Sequence, residues 1–440
     1  MIKLSNQALL TDLSNIEKSD IKSALTITNP KFSVAMSLGK NVMGISKYTY
    51  YFKDTQEGLV IPIGYGISLK DNYLAHHDIE DYRVESPDLL DIEFSGELRE
   101  YQKGPVDFIL GNTNGVIQAP TGTGKTVIAI AAICKRKQPT LILVHTLELA
   151  NQFVDRLKAF TNIRDVGFIG DTRKIIKPVT VGLLQSVTKM DPTELNKTFG
   201  QIFVDEAHII PANTFAAAIA RLKAKYKWAL GATPERTDGL TKIIFWLTGM
   251  NHYIVDDTDV KSSIVIPELK VIKTDYFFPI FDSSEYTQMI SHLSEDDARN
   301  NLILDTYKDY KDRQVVMLCQ RQSQVKWLHE NIQGSRMLTS KTPKAQRKKI
   351  MKELSSGKCK AVISTIQLFS TGIDVPSLDA LFICAPVKSK ILVKQMAGRI
   401  MRPLANKKKP IIIDFYDDKV EILKFQFYNR NRTLKKIIGA

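Results

Sequence analysis

The chain has 440 residues, of which 44% are hydrophobic and 25% are charged. This balance is ordinary for globular domains and excludes a largely disordered chain, and the length indicates about three domains of ~150 residues. The net charge of +14 favours a polyanionic partner, although charge alone does not identify it.

The cysteines argue against a disulfide-bonded secreted protein, and the apolar runs argue against a membrane-spanning one. The cysteines are widely spaced and form no Cys-x-x-Cys pair, so we interpret them as buried free thiols of a reducing compartment: Cys134, Cys319, Cys359 and Cys384. The amino-terminal segment lacks the basic and apolar regions of a signal peptide, and no run reaches the ~18 apolar residues of a membrane span. The sequence therefore predicts a soluble, intracellular protein that does not contact a membrane.

The first 92 residues differ in pattern from the rest of the chain. Runs with β propensity, such as Tyr48 to Phe52 and Leu59 to Ile63, are separated by glycine and proline. We interpret residues 1–92 as a separate small α+β domain.

Two later segments alternate short apolar runs with helical periodicity, which is typical of a parallel sheet covered by helices on both faces. In residues 93–255 the predicted strands are Gly115 to Ala119, Thr140 to Val144, Val179 to Leu184, Gln201 to Asp205 and Trp228 to Thr233. Residues 256–297 are polar and less periodic, and we interpret them as a connector. In residues 298–440 the predicted strands are Gln314 to Cys319, Arg336 to Ser340, Lys360 to Thr365, Ala380 to Ala385 and Pro410 to Phe415.

A glycine-rich loop follows the first of these strands and precedes a predicted helix. It consists of Ala119, Pro120, Thr121, Gly122, Thr123, Gly124, Lys125 and Thr126. A loop of small residues at a helix start presents backbone N–H groups to a triphosphate, and the lysine neutralises the β- and γ-oxygens. The threonine hydroxyl of Thr126 is a ligand for Mg²⁺. The loop therefore predicts an ATP site.

Two acids follow a later apolar strand. The strand Gln201 to Asp205 delivers Asp205 and Glu206 at its carboxyl end, followed by Ala207 and His208. Because the carboxyl ends of parallel strands lie at one edge of the sheet, we expect both acids beside the phosphate loop. We expect Asp205 to hold Mg²⁺, Glu206 to polarise the attacking water and His208 to sense the γ-phosphate.

Four motifs of this region resemble, in order and spacing, the first RecA-like lobe of superfamily 2 helicases. They are Leu98-Arg99-Glu100-Tyr101-Gln102, the phosphate loop, Asp205-Glu206-Ala207-His208 and Gly231-Ala232-Thr233-Pro234. The resemblance implies that Gln102 and Arg99 read the adenine edge, and that Gly231 to Pro234 couple the nucleotide to the bound strand. Many family members have serine where Gly231 stands.

The second lobe carries the family pattern Q-x-x-G-R-x-x-R, in the run Gln395-Met396-Ala397-Gly398-Arg399-Ile400-Met401-Arg402. Arginines three apart share one helical face, so Arg399 and Arg402 could both point at a γ-phosphate held by the first lobe. The resemblance makes them arginine fingers and places Gln395 at the nucleotide. It also assigns the upstream segment Ser364 to Pro376, with Thr365 at a backbone phosphate and with Gly372 and Asp374 near the ribose.

Superfamily 2 motors bind a nucleic-acid strand across the tops of both lobes. The matching positions are Thr146, Gln152, Gln185, Ser186, Thr233, Thr339, Ser340 and Thr365. Hydroxyl and amide groups suit phosphate contacts that ignore base sequence, but each of these residues could equally be a helix cap or a turn.

Two basic segments could supplement this strand track. One is the predicted helix that carries Lys341, Lys344, Arg347, Lys348 and Lys349. The other is the tail from Lys424, where aromatic side chains alternate with cations; an amphipathic helix docked on the second lobe is the alternative. We interpret the run Lys407 to Lys409 as a solvated turn.

The fold that the resemblance implies is α/β, with two tandem RecA-like parallel-sheet lobes after a small α+β domain. Within superfamily 2 the motifs resemble the branch of restriction-enzyme motors and the XPB helicase, and the compact size favours the phage branch-migration type. We therefore expect a monomeric, ATP- and Mg²⁺-dependent DNA helicase that remodels forks and Holliday-type junctions in replication, recombination or repair. The resemblance also implies the cytoplasm of a bacterium or a phage-infected host, and residues 1–92 are expected to grip duplex DNA or act as a wedge. Two alternatives remain: an RNA helicase with the same motor, and a nucleic-acid-binding protein without enzymatic activity.

Overall fold

The computed structural model describes residues 1–39, 41–71, 73–74, 76–120, 122–210, 213–232, 240–256, 265–279, 285–370 and 375–439. The chain forms two compact units, Met1–Asp256 and Asp257–Ala440. Within the described ranges, no helix has the length and apolar character needed to cross a bilayer. All four cysteines are buried free thiols, as the sequence predicts.

The first unit begins with a module built on a five-stranded sheet of order β5-β6-β2-β1-β7 and a separate β3–β4 pair. Its strands are β1 (Ile2–Leu4), β2 (Gln7–Leu10), β3 (Thr26–Thr28), β4 (Tyr48–Tyr50), β5 (Lys53–Asp54), β6 (Leu59–Pro62) and β7 (Ile79–Asp81). Its helices are α1 (Asn15–Ala24), α2 (Pro30–Ser37) and α3 (Ile63–Asp71). Helix α1 begins at a capping box, in which Ser14 and Glu17 exchange hydrogen bonds.

An eight-stranded sheet of order β11-β10-β12-β9-β13-β14-β8-β15 completes the first unit. Its strands are β8 (Asn114–Gln118), β9 (Thr140–Val144), β10 (Gly167–Gly170), β11 (Arg173–Ile175), β12 (Val179–Leu183), β13 (Gln201–Val204), β14 (Tyr226–Gly231) and β15 (His252–Ile254). Its helices are α4 (Glu100–Gly111), α5 (Lys125–Arg136), α6 (Leu147–Phe160), α7 (Leu184–Thr188), α8 (Thr193–Thr198), α9 (Asn213–Ala220) and α10 (Thr241–Thr248). All the predicted strands of this lobe are present, with ends shifted by one or two residues, and every pairing except β10–β11 is parallel.

The module and the eight-stranded sheet share one hydrophobic core. Buried side chains of the module, such as Leu4 and Ile61, belong to the same cluster as Trp246 and Leu247 of helix α10. At Gly64 the chain comes so close to α10 that an added Cβ would lie 2.5 Å from the carbonyl oxygen of Phe245. The module is therefore packed firmly against the lobe that carries the phosphate loop.

The second unit is built on a six-stranded parallel sheet of order β16-β21-β20-β17-β19-β18. Its strands are β16 (Glu268–Lys273), β17 (Val315–Cys319), β18 (Arg336–Leu338), β19 (Ala361–Thr365), β20 (Ala380–Ile383) and β21 (Ile411–Tyr416). Its helices are α11 (Tyr286–Glu295), α12 (Asp297–Lys308), α13 (Gln322–Asn331), α14 (Lys344–Ser355), α15 (Ile366–Ser370), α16 (Lys390–Ile400) and α17 (Glu421–Ile438). The five predicted strands are present, and β16 lies within the stretch interpreted as a connector.

The carboxyl-terminal helix α17 is docked on the second sheet. Arg430, which is 3% exposed, donates to the fully buried Asp414 of β21 at 2.8 to 2.9 Å. Leu423 and Phe427 are buried on the same helix, whereas Phe425 is exposed. Of the two interpretations of the tail, the docked amphipathic helix is the one that the structure supports.

Candidate nucleotide site and strand track

The predicted nucleotide residues lie at the carboxyl edge of the eight-stranded sheet. Strand β8 leads into the phosphate loop and β13 leads into Asp205, while β14 lies between them. The backbone N–H of Ala119 donates to the carbonyl oxygen of Gly231 at the end of β14, at 2.9 Å. An added Cβ on Gly231 would lie 3.2 Å from the Cβ of Ala207. The loop, the end of β14 and the acidic segment are thus held side by side.

The phosphate loop has the backbone conformation that its glycines permit. Gly122 and Gly124 have φ of +91° and +80°, which few other residues adopt. Gly124 directly precedes α5, so the loop ends at a helix amino terminus, where N–H groups and the helix dipole favour an anion. The hydroxyl of the buried Thr123 donates to the carbonyl oxygen of Pro120 at 2.8 Å and closes the loop.

The ammonium group of Lys125 lies over this loop. It donates to the carbonyl oxygen of Ala119 at 3.2 Å, and its charge favours the ionised forms of Asp205 and Glu206. The hydroxyl-bearing Thr126 is the next residue of the helix. Lys125 and the two carboxylates therefore belong to one electrostatic environment, as the sequence predicts.

The two acids have different electrostatic surroundings. Burial and the neighbouring charge of Glu206 raise the pKa of Asp205 to about 7, against the effect of Lys125. Burial alone would raise the pKa of Glu206, but a hydrogen bond from His208 and the charge of Lys125 lower it to about 2. The Nδ1 atom of His208 lies 3.2 Å from Oε2 of Glu206. Glu206 is thus held ionised, as a residue that orients water must be.

Glu206 has a strained backbone. Its φ of +56° lies in the left-handed region, which is uncommon for residues other than glycine and is found mainly where the surrounding structure imposes it. His145, which follows β9, is an additional neighbour that sequence reasoning missed. Burial lowers the pKa of its imidazole, while the charge of Glu206 opposes this shift.

The donor set fits ATP and Mg²⁺. The loop supplies a helix amino terminus and a lysine for the phosphates, and Asp205 is a carboxylate with only 7% of its surface exposed. A hard cation prefers oxygen ligands, and Thr126 and Asp205 provide a hydroxyl and a carboxylate. These two residues would hold the ion. When bound, Mg²⁺ neutralises charge that develops on the phosphate oxygens.

The structure gives Gln102 a role that the sequence did not predict. Its Nε2 donates to the carbonyl oxygen of Thr123 at 2.7 Å, and its Oε1 accepts from the backbone N–H of Arg99 at 3.0 Å. The side chain of Arg99 donates to the hydroxyl of Tyr101 at 3.0 Å. Gln102 therefore buttresses the phosphate loop, and its contact with adenine stays a prediction, as does that of Arg99. Thr121 lies outside the described residues.

The predicted strand contacts of this lobe lie farther along the same edge. Thr146 follows β9 and caps α6, with its hydroxyl accepting from the N–H of Leu149 at 3.3 Å. Gln152 is on the same helix, and the exposed Gln185 follows β12 and donates to the carbonyl oxygen of His145 at 3.3 Å. In the sheet order, β9 and β12 lie on the far side of β13 from β8. The predicted nucleotide residues and the predicted strand residues thus follow different strands of one edge. Thr233 and Pro234 lie outside the described residues.

The second lobe places its two arginines differently from the prediction. Helix α16 spans Lys390–Ile400 and carries Gln395 and Arg399, but Arg402 lies two residues beyond its end. The argument from a shared helical face was therefore wrong for Arg402. The guanidinium of Arg399 lies 5.3 Å from the centre of the Phe369 ring, which orients it by a cation–π contact.

Lys407 holds the end of helix α16 in place through contacts that the sequence did not predict. Lys407 was interpreted as part of a solvated turn, but its Nζ donates to three carbonyl oxygens: those of Pro376 at 2.9 Å, Ile400 at 2.7 Å and Arg402 at 2.8 Å. Burial lowers the pKa of Lys407 to about 8. No local pattern reveals this contact, because it depends on how the turn folds back on the helix end.

The predicted strand contacts of the second lobe are mostly enclosed. Thr339 is 5% exposed and Thr365 is 8% exposed, so their side chains offer little surface. The backbone N–H of Thr339 donates to the hydroxyl of Thr342 at 3.0 Å. Gly372 and Asp374 lie outside the described residues.

Two family models match this chain. The family "Type III restriction enzyme, res subunit" matches residues 95–236, and "Helicase conserved C-terminal domain" matches residues 298–403. A protein of Acanthamoeba polyphaga mimivirus, named provisionally as the ATP-dependent RNA helicase L396, is 28% identical over 400 residues, covering 86% of this chain and 74% of its own. The DNA 3'-5' helicase XPB of Mycobacterium tuberculosis is 27% identical over 326 residues, covering 70% of this chain and 59% of its own.

The solved structure of Saccharomyces cerevisiae Dbp5, bound to RNA and ADP BeF3, has a similar fold. Its TM-score is 0.58 at 16% identity, over 77% of this chain and 87% of that one. At this identity the likeness concerns the fold, and it confirms two tandem RecA-like domains with parallel sheets.

Proposed function

We propose that this chain, which belongs to the superfamily 2 helicases of the XPB and restriction-motor type and hydrolyses ATP, is a DNA translocase that remodels forks and Holliday-type junctions. The proposal is supported by the arrangement of two groups of residues along one edge of the eight-stranded sheet. Strands β8 and β13 deliver the phosphate loop and the acids, while β9 and β12 deliver Thr146 and Gln185. A bound strand and a bound nucleotide would then be coupled through one rigid sheet.

The residues of the first lobe divide the work of hydrolysis. The loop from Ala119 to Lys125 binds the phosphates, and Lys125 neutralises their charge. Glu206, which is ionised and held by His208, orients the attacking water and accepts its proton. Thr126 and Asp205 hold Mg²⁺.

We assign Arg399 and Arg402 to the transition state. Their guanidinium groups would stabilise charge on the γ-phosphate, an effect worth about 10³ to 10⁵ in rate in other phosphoryl-transfer enzymes. Gln395, Gly372 and Asp374 would complete the nucleotide site, and Thr233 the strand track. Thr339 and Thr365 are nearly buried, so they would contact a strand only after local rearrangement.

DNA is the preferred substrate in this proposal because the M. tuberculosis relative is named as a DNA helicase. RNA is the second candidate, and the name of the mimivirus relative favours it. Both substrates would use the same phosphate contacts, which do not depend on base sequence.

Strand displacement and branch migration separate these candidates. The panel consists of forked DNA, four-way junctions, linear duplexes and the matching RNA duplexes, with and without ATP. The proposal predicts ATP-dependent processing of forks and junctions with DNA-stimulated hydrolysis. Unwinding of RNA duplexes with RNA-stimulated hydrolysis alone would select the second candidate.

A further inference from the structure

One part of the amino-terminal module is unusually apolar on its surface. It comprises β3, α2, the following loop and β4, residues 26–50, and we call it the tip. Six of its large apolar side chains are between 40% and 87% exposed: Val34, Met36, Leu38, Met43, Tyr48 and Tyr50. Exposed apolar patches of this kind on a soluble protein usually mark an interaction site.

The tip is ordered by its own hydrogen bonds. Asn29 caps α2 by accepting from the N–H of Lys31 at 3.0 Å, and its amide donates to the carbonyl oxygen of Ser46 at 2.9 Å. The N–H of Asn29 donates to the carbonyl oxygen of Lys47 at 2.9 Å, which closes the base of the loop. The apolar side chains are therefore presented by a defined structure.

The charge of the tip indicates what kind of partner it binds. Residues 26–50 contain three lysines and no aspartate or glutamate: Lys31, Lys40 and Lys47. The ammonium of Lys47 lies 5.2 Å from the centre of the exposed Tyr48 ring. Cations that bind phosphates, beside aromatic and flexible apolar side chains that stack on or insert between bases, are the chemistry of nucleic-acid contacts.

The tip is also joined mechanically to the ATP-binding lobe. Along β4 the side chains alternate, so that Tyr48 and Tyr50 face outward. The next residue, Tyr51, packs against Trp246 of α10, with ring centres 5.1 Å apart. Tyr51 therefore links the base of the tip to α10, which packs against β8 and β14 of the sheet that carries the phosphate loop.

We propose that the tip contacts the branch point of a nucleic acid, with Leu38, Met43, Tyr48 and Tyr50 against exposed bases and Lys31 and Lys47 against phosphates. This inference rests on the proposed function, since it names the element that meets the branch. It makes the tip a wedge that moves rigidly with the first lobe.

The test compares two variants of the full chain. The tip variant carries Leu38→Ser, Met43→Ser, Tyr48→Thr and Tyr50→Thr, which keep β4 compatible with a strand. The control carries Ile16→Ser and Leu89→Ser, two exposed apolar residues of the same unit outside the tip. Three quantities are measured: the melting temperature, the ATPase rate stimulated by single-stranded DNA, and the binding and unwinding of a fork with 2-aminopurine at its branch point.

We expect the tip variant to bind and unwind the fork about tenfold less well, since each stacked base contributes on this scale. Its 2-aminopurine signal should also be lost, while its melting temperature and single-strand ATPase stay those of the control. Equal fork unwinding and 2-aminopurine signals in both variants would overturn the tip proposal and leave the proposed function intact. Loss of the single-strand ATPase in the tip variant alone would also overturn it. A wild-type chain without DNA-stimulated ATPase or fork unwinding would overturn both proposals.

Discussion

The ammonium group of Lys407 donates to the carbonyl oxygen of Arg402 at 2.8 Å. The same group donates to Pro376 and Ile400, so one lysine ties the end of α16 to the segment that precedes β20. Arg402 lies beyond the helix, so helical hydrogen bonds do not hold its backbone. The hydrogen bond from Lys407 to its carbonyl oxygen holds it instead.

We predict that Lys407→Met lowers kcat for ATP by about tenfold or more with little change in KM, because misplacing a catalytic group by about 1 Å can cost ~100-fold. The measurement is steady-state ATPase with saturating DNA. Lys409→Met is the matched control, since the side chain of Lys409 forms an exposed ion pair with Glu268 at 2.9 Å. Similar kinetics in the two variants would show that Lys407 does not position the arginine.

The elements that could be predicted from the sequence have clear local patterns, whereas those that were missed do not. The strands of both sheets are recognisable because a buried parallel strand is an uninterrupted apolar run, such as Val315–Cys319. Strand β16 was missed because it is an exposed edge strand, in which lysine and glutamate alternate with apolar residues. The role of Lys407 was missed because a run of lysines does not show which one will be buried by a distant turn.

The same distinction applies to the nucleotide site, where local motifs were predicted and a contact between distant residues was not. The phosphate loop and the acids are contiguous motifs whose chemistry is local, and the structure brings them together. Gln102 was assigned to the base, but its position against Thr123 depends on how α4 crosses the loop.

Gly64 tests the packing of the amino-terminal module. The three atoms nearest to a Cβ at this position would be backbone atoms of α10 and its end, at 2.5 to 2.8 Å, and backbone cannot move at little cost. We therefore predict that Gly64→Ala destabilises the first unit by about 1–3 kcal/mol, measured by thermal unfolding. Gly111→Ala is the control, because a Cβ there meets nothing within 4 Å and should be neutral or stabilise the helix by about 0.5–1 kcal/mol. Equal melting temperatures for the two variants would show that the module is loosely attached.

Lys227 should make stability depend on pH. It is 3% exposed, and burial lowers the pKa of its ammonium group from 10.5 to about 7. Between these values the unfolded chain binds a proton that the folded chain releases, so this group makes stability rise as pH increases from about 7 to 10.5.

We predict that Lys227→Met stabilises the first unit by about 2–4 kcal/mol at pH 7 and by less at pH 9. Calorimetric unfolding of the full chain at both pH values measures this. Lys225→Met is the control: it removes an ion pair with Glu85 at 2.5 Å and should be neutral or slightly destabilising at both pH values. A gain from Lys227→Met that is no larger at pH 7 than at pH 9 would contradict the assignment.

Glu206→Gln tests the assignment of the attacking-water residue. The amide keeps the size of the side chain but cannot accept the proton, so we predict ATPase turnover to fall by about 10²- to 10⁴-fold. Affinity for a fluorescent ATP analogue should change little. The exposed Glu194→Gln is the control and should keep full turnover. If Glu206→Gln retains more than a tenth of wild-type turnover, another group accepts the proton.

We have proposed that Arg402 stabilises the charge that develops on the γ-phosphate during hydrolysis. Turnover by Arg402→Ala, measured at saturating ATP and DNA alongside its nucleotide affinity, tests this claim most directly. We predict turnover lower by about 10³-fold or more, with nucleotide affinity close to that of the wild type. Wild-type turnover in this variant would exclude Arg402 from the transition state.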